Sequence, residues 1–267
     1  MARVHFFEWE DQKWFPHLFR NFITDHLVFH STRLYQPVIQ KLLDAMRITG
    51  YRSIVDLCSG GGGPLPKLIA NHKENLDQPI TATLTDLYPN LDAFERNHDL
   101  SDGAIKYLEK STSAMDCPAE LNGFRTIFTA LHHFKPDDAK RILSDAMEKN
   151  VPIAAFEHTE RSAVNIAAMP FAGFLGGLVL TPFVGKMTFS RFLFTYIIPL
   201  APFFLMWDGI VSCLRTYTVK ELEKLTEDLN KNGYRWEIGK ISAVGHMGPY
   251  NVTYAIGFPG EEKSSTN

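Results

Sequence analysis

Asp56-Leu57-Cys58-Ser59-Gly60-Gly61-Gly62-Gly63 is the stretch on which the fold turns. Immediately before it, Ile54-Val55-Asp56-Leu57 is a short apolar strand, and Pro64 after it leads into a helical stretch. The local order is strand, tight turn, helix. Glycines at such a turn let the backbone come close to a ligand and point amides at it. Open α/β sheets bind ligands at the carboxyl ends of their strands, which is where this turn sits. The spacing is not that of a dinucleotide fingerprint, because Gly60 and Gly62 would need glycine or alanine at position 65, and that residue is Leu65.

The same alternation extends on both sides. Upstream, Phe15, Leu18, Phe19, Phe22, Ile23 and Leu27 fall at helical spacing. A second helix is expected from Pro37 to Arg47, with Val38, Leu42, Ala45 and Met46 on one face and Gly50 beyond its end. Downstream, Ile80, Ala82 and Leu84 alternate along a strand closing at Asp86, and a further short strand over Ile105 to Leu108 leads to Ser113-Ala114-Met115-Asp116. Thr126 to Leu131 reads as a buried strand. Pro136-Asp137-Asp138 opens a helix, and Pro152 to Phe156 is a strand ending at Glu157. Thr218 and Glu221 have capping-box spacing. Two last strands, Tyr234–Ile241 and Val252–Phe258, have no strong helix between them, and a polar tail runs from Glu261 to Asn267. The expected fold is α/β: a seven-stranded, mostly parallel, doubly wound sheet with one antiparallel strand. N-terminal helices precede it, and an apolar helical insertion comes before the sixth strand.

With its order of elements, Val55-Asp56-Leu57-Cys58-Ser59-Gly60-Gly61-Gly62 resembles motif I of the class I S-adenosylmethionine-dependent methyltransferases, an acidic residue followed by Gly-x-Gly-x-Gly. Cys58 stands at that pattern's first glycine, while Gly60 and Gly62 match the second and third. The resemblance implies S-adenosylmethionine as cofactor, held around Asp56, Cys58, Ser59, Gly60, Gly61 and Gly62. It implies an acid at the end of the second strand for the ribose hydroxyls, where Asp86 stands beside Leu87. It also implies a polar residue after the third strand for the adenine, where Met115-Asp116 lies. The fourth strand would end near the sulfonium, at Thr129-Ala130-Leu131. The likeness covers residues 35–160 well and 215–260 in pattern only.

A methyl transfer mainly requires an aligned acceptor, with a base added for a hydroxyl or phenol. His132, His133, Glu157 and His158 lie at strand ends on the expected rim, and His132, His133 and Glu157 are the catalytic candidates. The sequence leaves open whether His132-His133 is instead a packing feature of its loop.

Residues 162–185 contain no Asp, Glu, Lys, Arg or His, nor do 192–207, and only Lys186 and Arg191 interrupt the two stretches. Pro170, Pro182 and the Gly173, Gly176, Gly177 cluster argue against one straight helix, so a hairpin dipping into one leaflet is expected, or a hydrophobic lid over the site. The chain then divides into a helical cap (1–50), a core (51–161 and 208–260) and the insertion (162–207). Trp9 and Trp14 lie among Glu8, Glu10 and Asp11 in an aromatic-rich N-terminal segment.

Composition narrows the partners. The chain has 267 residues, 21% charged and 45% apolar, with net charge −3 and no clustered Lys/Arg footprint, so nucleic acid is not an expected partner. Its three cysteines are too few and scattered for a disulfide framework or zinc site, and no metal is expected. The N-terminus lacks an apolar run suited to a signal peptide, which points to the cytoplasm or the cytoplasmic face of a membrane. The leading reading is methyl transfer to a hydrophobic small molecule or lipid-like acceptor. Other chemistry with the same cofactor, and a membrane-associated binding protein without turnover, stay open.

Overall fold

The computed structural model describes residues 1–72, 79–231, 233–245 and 248–260; the polar tail expected over Glu261–Asn267 lies outside them. Seven strands form one sheet in the order β3-β2-β1-β4-β5-β7-β6. They are β1 (Ser53–Asp56), β2 (Thr81–Leu84), β3 (Ile105–Tyr107), β4 (Phe124–Phe128), β5 (Ile153–Glu157), β6 (Arg235–Gly245) and β7 (Gly248–Phe258). β1 to β5 pair in parallel, while β7 runs antiparallel to both β5 and β6. β7 is therefore the one reversed strand. The expected sheet is present, with β1 and β4 on either side of the point where strand order reverses.

Strand alternation sends neighbouring side chains to opposite layers. Ile54, Leu84, Ala154 and Phe156 join one core with Val38, Leu42, Ala45 and Met46 of the helix α2 (Gln36–Thr49) and with α3 (Leu65–His72) and α4 (Leu91–Leu100). Val55, Ile127, Ile153 and Ala155 join the other, against Ala139, Ile142, Leu143 and Ala146 of α5 (Pro136–Glu148). The helix Val219–Thr226 closes that layer. Its capping box is formed as the Thr218 and Glu221 spacing predicts.

Several boundaries differ from the sequence reading, among them the last two strands, which are longer than expected. The first helix, α1, spans His17–Leu34 and so runs past Leu27, where the apolar spacing ends; its later buried residues are the polar His26 and Ser31. β1 stops at Asp56, one residue before Leu57. β4 stops at Phe128 rather than Leu131: Thr129 turns to φ 51°, and Leu131–His133 is a single 3-10 turn. The insertion's first stretch is one helical run, Ala163–Phe183, rather than broken at Pro170. A π-helical segment, Pro170–Leu175, absorbs the proline. Two of its glycines serve close approach: a Cβ on Gly173 would stand 2.6 Å from the Met206 Cα, and one on Gly177 3.1 Å from the Pro202 Cα. The returning pair, Phe189–Ile197 and Leu200–Arg215, is bent by 69°.

Candidate active site

Backbone strain concentrates where the strands meet the turn. Cys58, Gly60, Gly62 and Gly63 all have positive φ, at 57°, 54°, 93° and 50°. The left-handed region costs a non-glycine residue about 1–2 kcal/mol, so Cys58 is held in a conformation that glycine would adopt freely. Hydrogen bonds fix the turn. Ser59 Oγ donates to the Asp56 carbonyl at 2.9 Å and accepts from Thr85 N at 3.1 Å, which joins the ends of β1 and β2. Asp86 Oδ2 accepts from Gly60 N at 2.9 Å and its Oδ1 from Tyr88 N at 2.8 Å. Asn97 Nδ2 donates to the Gly61 carbonyl at 2.9 Å.

The turn opens on a cavity of about 400 Å³. Cys58, Ser59, Gly60, Gly61, Gly63, Asp86 and Leu87 form one wall; Phe128, Thr129, Ala130, His133, Phe134 and His158 form the strand-end wall. The roof is the N-terminal segment and α1, through Glu10, Asp11, Arg20, Thr24, Leu27, Val28 and Ser31, with Tyr35 just beyond. No residue of 162–207 lines it. The expected hydrophobic lid is thus not the insertion. The insertion lies on α1 through His26 Nε2 and Thr181 Oγ1 at 2.9 Å, an ion pair of Asp25 with Arg191, and Phe19 against Phe194.

Of the expected cofactor residues, the structure gathers Cys58, Ser59, Gly60, Gly61, Asp86, Leu87 and Thr129 on this cavity. Asp56 sits behind the turn, 2% exposed, and accepts from Thr126 Oγ1 at 2.5 Å. Gly62 faces Asn97, whose Nδ2 would stand 2.5 Å from an added Cβ. Leu131 is in the core. Met115 and Asp116 are away from the cavity: Met115 packs against the core, and the Asp116 side chain is 85% exposed and pairs with Lys149. The loop after β3 nonetheless runs beside the site, with Thr112 N on the Asp86 carbonyl at 2.8 Å and Ser111 Oγ on the Leu87 carbonyl at 2.7 Å.

The catalytic candidates separate in the same way. His132 is fully buried, with Nδ1 2.8 Å from Glu157 Oε2 and its backbone N–H on Glu157 Oε1 at 3.1 Å. Neither His132 nor Glu157 reaches the cavity; they hold the end of β4 to the end of β5. His133 does reach it, with Nδ1 2.8 Å from both Glu8 Oε2 and Asp11 Oδ1. Burial acts to lower this imidazole, but Glu8 and Asp11 outweigh it and hold it well above the usual histidine range.

His158 is placed differently. Its Nδ1 is 2.9 Å from Thr129 Oγ1 and 3.1 Å from Tyr35 OH. Tyr35 OH donates to the Phe156 carbonyl at 3.3 Å. That arrangement admits the tautomer in which Nδ1–H of His158 donates to Thr129 and Nε2 keeps its lone pair. Burial depresses the imidazole to about 4, so it is neutral at physiological pH.

Sequence reasoning missed Tyr35, Glu10 and Arg20 as site residues. The acidic residues around Trp9 and Trp14 were the only signal. The segment is clasped to the far end of the chain: Arg215 Nη1 bonds Glu8 Oε2 at 2.9 Å and Asp11 Oδ2 at 2.7 Å, and Trp9 N donates to Asp208 Oδ1 at 2.8 Å.

One electrostatic consequence is measurable in stability. Burial raises the Asp56 carboxyl to about 7, although Thr126 and Ser59 act to lower it. A carboxyl raised in the folded state adds stability below its unfolded pKa and loses it as pH rises through the folded one. The wild type should therefore gain about 1 kcal/mol from this group between about pH 8 and pH 6. Asp56→Asn should lose that part of the slope in denaturant melts; an identical slope in the variant would refute the assignment.

No family model matches the sequence, and no curated protein matches it. Solved structures do. An O-methyltransferase family protein from Burkholderia thailandensis superposes with TM-score 0.51 at 15% identity, over 90% of this chain and 60% of that one. This chain therefore spans about 60% of that protein's length. The methyltransferase domain of bacterial CtHen1 gives 0.50 at 12% identity, over 85% of this chain and 100% of the domain. The plantazolicin methyltransferase BamL, solved with a triazolic desmethyl analogue and SAH, gives 0.50 at 9% identity, over 91% and 98%. At these identities the likeness is one of fold.

Proposed function

We propose that this chain, which has the fold of the class I methyltransferases, binds S-adenosylmethionine between the Cys58–Gly63 turn and α1 and methylates a hydroxyl on an apolar small molecule. The observation that carries the reading is the pairing of Asp86 with the Gly60 amide at the mouth of a cavity whose opposite wall holds His158. The residues fit the cofactor. Asp86 has a carboxylate for two ribose hydroxyls, and the turn brings bare backbone to the cavity. When bound, the sulfonium supplies an already activated methyl group.

The chain's own part is alignment and proton removal. Leu27, Val28, Phe128 and Phe134 give the cavity apolar wall for the acceptor. Tyr35 and Thr129 hold the His158 ring so that Nε2 faces the acceptor hydroxyl. As that hydroxyl is methylated, Nε2 of His158 would take its proton. His133 stays out of this step, because its shared proton is held by two carboxylates. Incubation with methyl-labelled cofactor and a panel of phenols, hydroxyquinones and lipid extracts tests the reading: label on an acceptor oxygen supports it. Cofactor binding without label on any acceptor would reject it.

The insertion belongs to the same proposal as a monotopic contact with the cytoplasmic face of a membrane, from which a lipophilic acceptor is drawn. The run Ala163–Phe183 has mean hydropathy 1.8 with 6% of its apolar window buried. Phe171, Val179, Phe183 and Phe189 are 66%, 65%, 71% and 81% exposed. Both ends of the insertion return to the core, and α1 packs along it, which favours lying in one leaflet over crossing two. Phe171→Asp with Val179→Asp should cut partitioning onto phosphatidylcholine–phosphatidylglycerol vesicles at least ~10-fold, since each buried side chain contributes about 1.5–3 kcal/mol. Sedimentation that is equal for variant and wild type, or absent in both, would refute the contact.

A further inference from the structure

We infer that Glu8, His132 and His133 form a binding site for a divalent transition-metal ion at the edge of the cavity, with Glu157 as the carboxylate that orients His132. The inference does not depend on methyl transfer. One ligand atom from each of Glu8, His132 and His133 lies within 4.8 Å of the other two, a spacing that one ion can bridge.

The orientation of His132 is the strongest sign. Its Nδ1 sits 2.8 Å from Glu157 Oε2, so that nitrogen carries the hydrogen and donates it. The other ring nitrogen, Nε2, then presents a lone pair. It is buried without a hydrogen-bond partner. The nearest charged group to it is Glu8 Oε1 at 3.8 Å, a second electron-pair donor, too far for a hydrogen bond. Two donors facing each other across a buried gap are each satisfied by a cation between them. A carboxylate holding the far nitrogen of an imidazole is also how metal-ligating histidines are commonly oriented.

The charge count agrees. Glu8, Asp11 and Glu157 bring three carboxylates to this cluster, and Arg215 brings one guanidinium. Carboxylates outnumber the guanidinium in this cluster, which favours a cation there. An ion bound there would displace the proton that His133 shares with Glu8 and Asp11. Arg215 does not block the ion. It binds Glu8 Oε2 and Asp11 Oδ2, which leaves Glu8 Oε1, bonded by Ser212 Oγ at 2.9 Å, toward His132 and Asp11 Oδ1 beside His133. Two imidazole nitrogens with carboxylate oxygen select ions such as zinc or cobalt(II) over magnesium or calcium. The sequence pointed away from this site because its ligands come from the chain's first residues and from a turn more than a hundred positions later.

The test uses the full-length chain and the metals alone. Cobalt(II) titration should give saturable binding of one ion per chain with a visible absorption band, displaced by zinc(II). X-ray absorption at the zinc edge should report two imidazoles at about 2.0–2.1 Å. His132→Gln and His133→Asn should each weaken binding at least ~100-fold, in line with the loss of a coordinating ligand. Circular dichroism checks that each variant folds, and His133→Asn, at a partly exposed position, serves if His132→Gln does not. Absence of saturable uptake by the folded wild type, or uptake unchanged in the folded variants, would overturn the site.

Discussion

Asp86→Ala should raise the dissociation constant for S-adenosylhomocysteine by ~10²–10⁴. Asp86 is at the end of β2, where a nucleoside lying along the Cys58–Gly63 turn would present its ribose hydroxyls. Two charge-assisted hydrogen bonds contribute about 1.5–3 kcal/mol each, and losing both converts to that range at ~1.4 kcal/mol per decade. The same substitution frees the Gly60 amide that Asp86 now holds at 2.9 Å, which loosens the turn itself. Burial already raises this carboxyl, so its charge is costly unless donors surround it. Asp86→Asn keeps the shape and one acceptor, and should cost only about a tenth as much in affinity. Isothermal titration of both variants decides. Affinity equal to wild type in Asp86→Ala would remove the ribose from this end of the sheet.

His158→Gln should lower kcat by ~10²–10³ while leaving cofactor affinity within a few-fold. A positioned general base is worth about that much. The ring's Nδ1 is fixed by Thr129 and, through Tyr35, by the end of β5, so the substitution removes the free nitrogen without opening the wall. The pH profile carries a second signature. Protonating Nε2 removes the lone pair, so kcat/KM should fall as pH drops through about 4. It should be flat across about pH 6 to 8 in so far as His158 governs it. A limb near neutrality that vanishes in His133→Asn would transfer the base to His133.

Where local pattern and tertiary structure agree, the sequence was a sufficient guide. The β1–turn–α3 unit was legible because an apolar strand followed by four glycines has few other solutions, and left-handed Cys58 occupies the position where the resemblance expected glycine. The capping box at Thr218 was legible because its two partners are three residues apart. What was not legible is long-range. Glu8 reaches Arg215 and Ser212 across more than two hundred positions, and nothing in its neighbourhood marks it for burial at 1% exposure. From Thr24 on, α1 buries the polar Thr24, His26 and Ser31, so apolar periodicity fails where the helix lies between the cavity and the insertion. Adjacent histidines illustrate the limit best. His132 and His133 read alike in sequence, but a single 3-10 turn sends one into the core and the other to the cavity.

Physically, the cavity divides its labour between elements of different origin. The sheet supplies strained backbone and fixed acids, as the sequence order implied, while the roof is an N-terminal segment held down by buried ion pairs. The insertion is free of the cavity and turns its apolar surface outward. Such a division would leave the proposed cofactor site intact when the outer surface changes.

A structure of the chain with S-adenosylhomocysteine would test the central proposition most directly. The proposal predicts the ribose hydroxyls on the Asp86 carboxylate, the amino acid moiety along Gly60 and Gly61, and the sulfur facing Thr129 and His158. A nucleoside bound elsewhere, with this cavity still open, would contradict it.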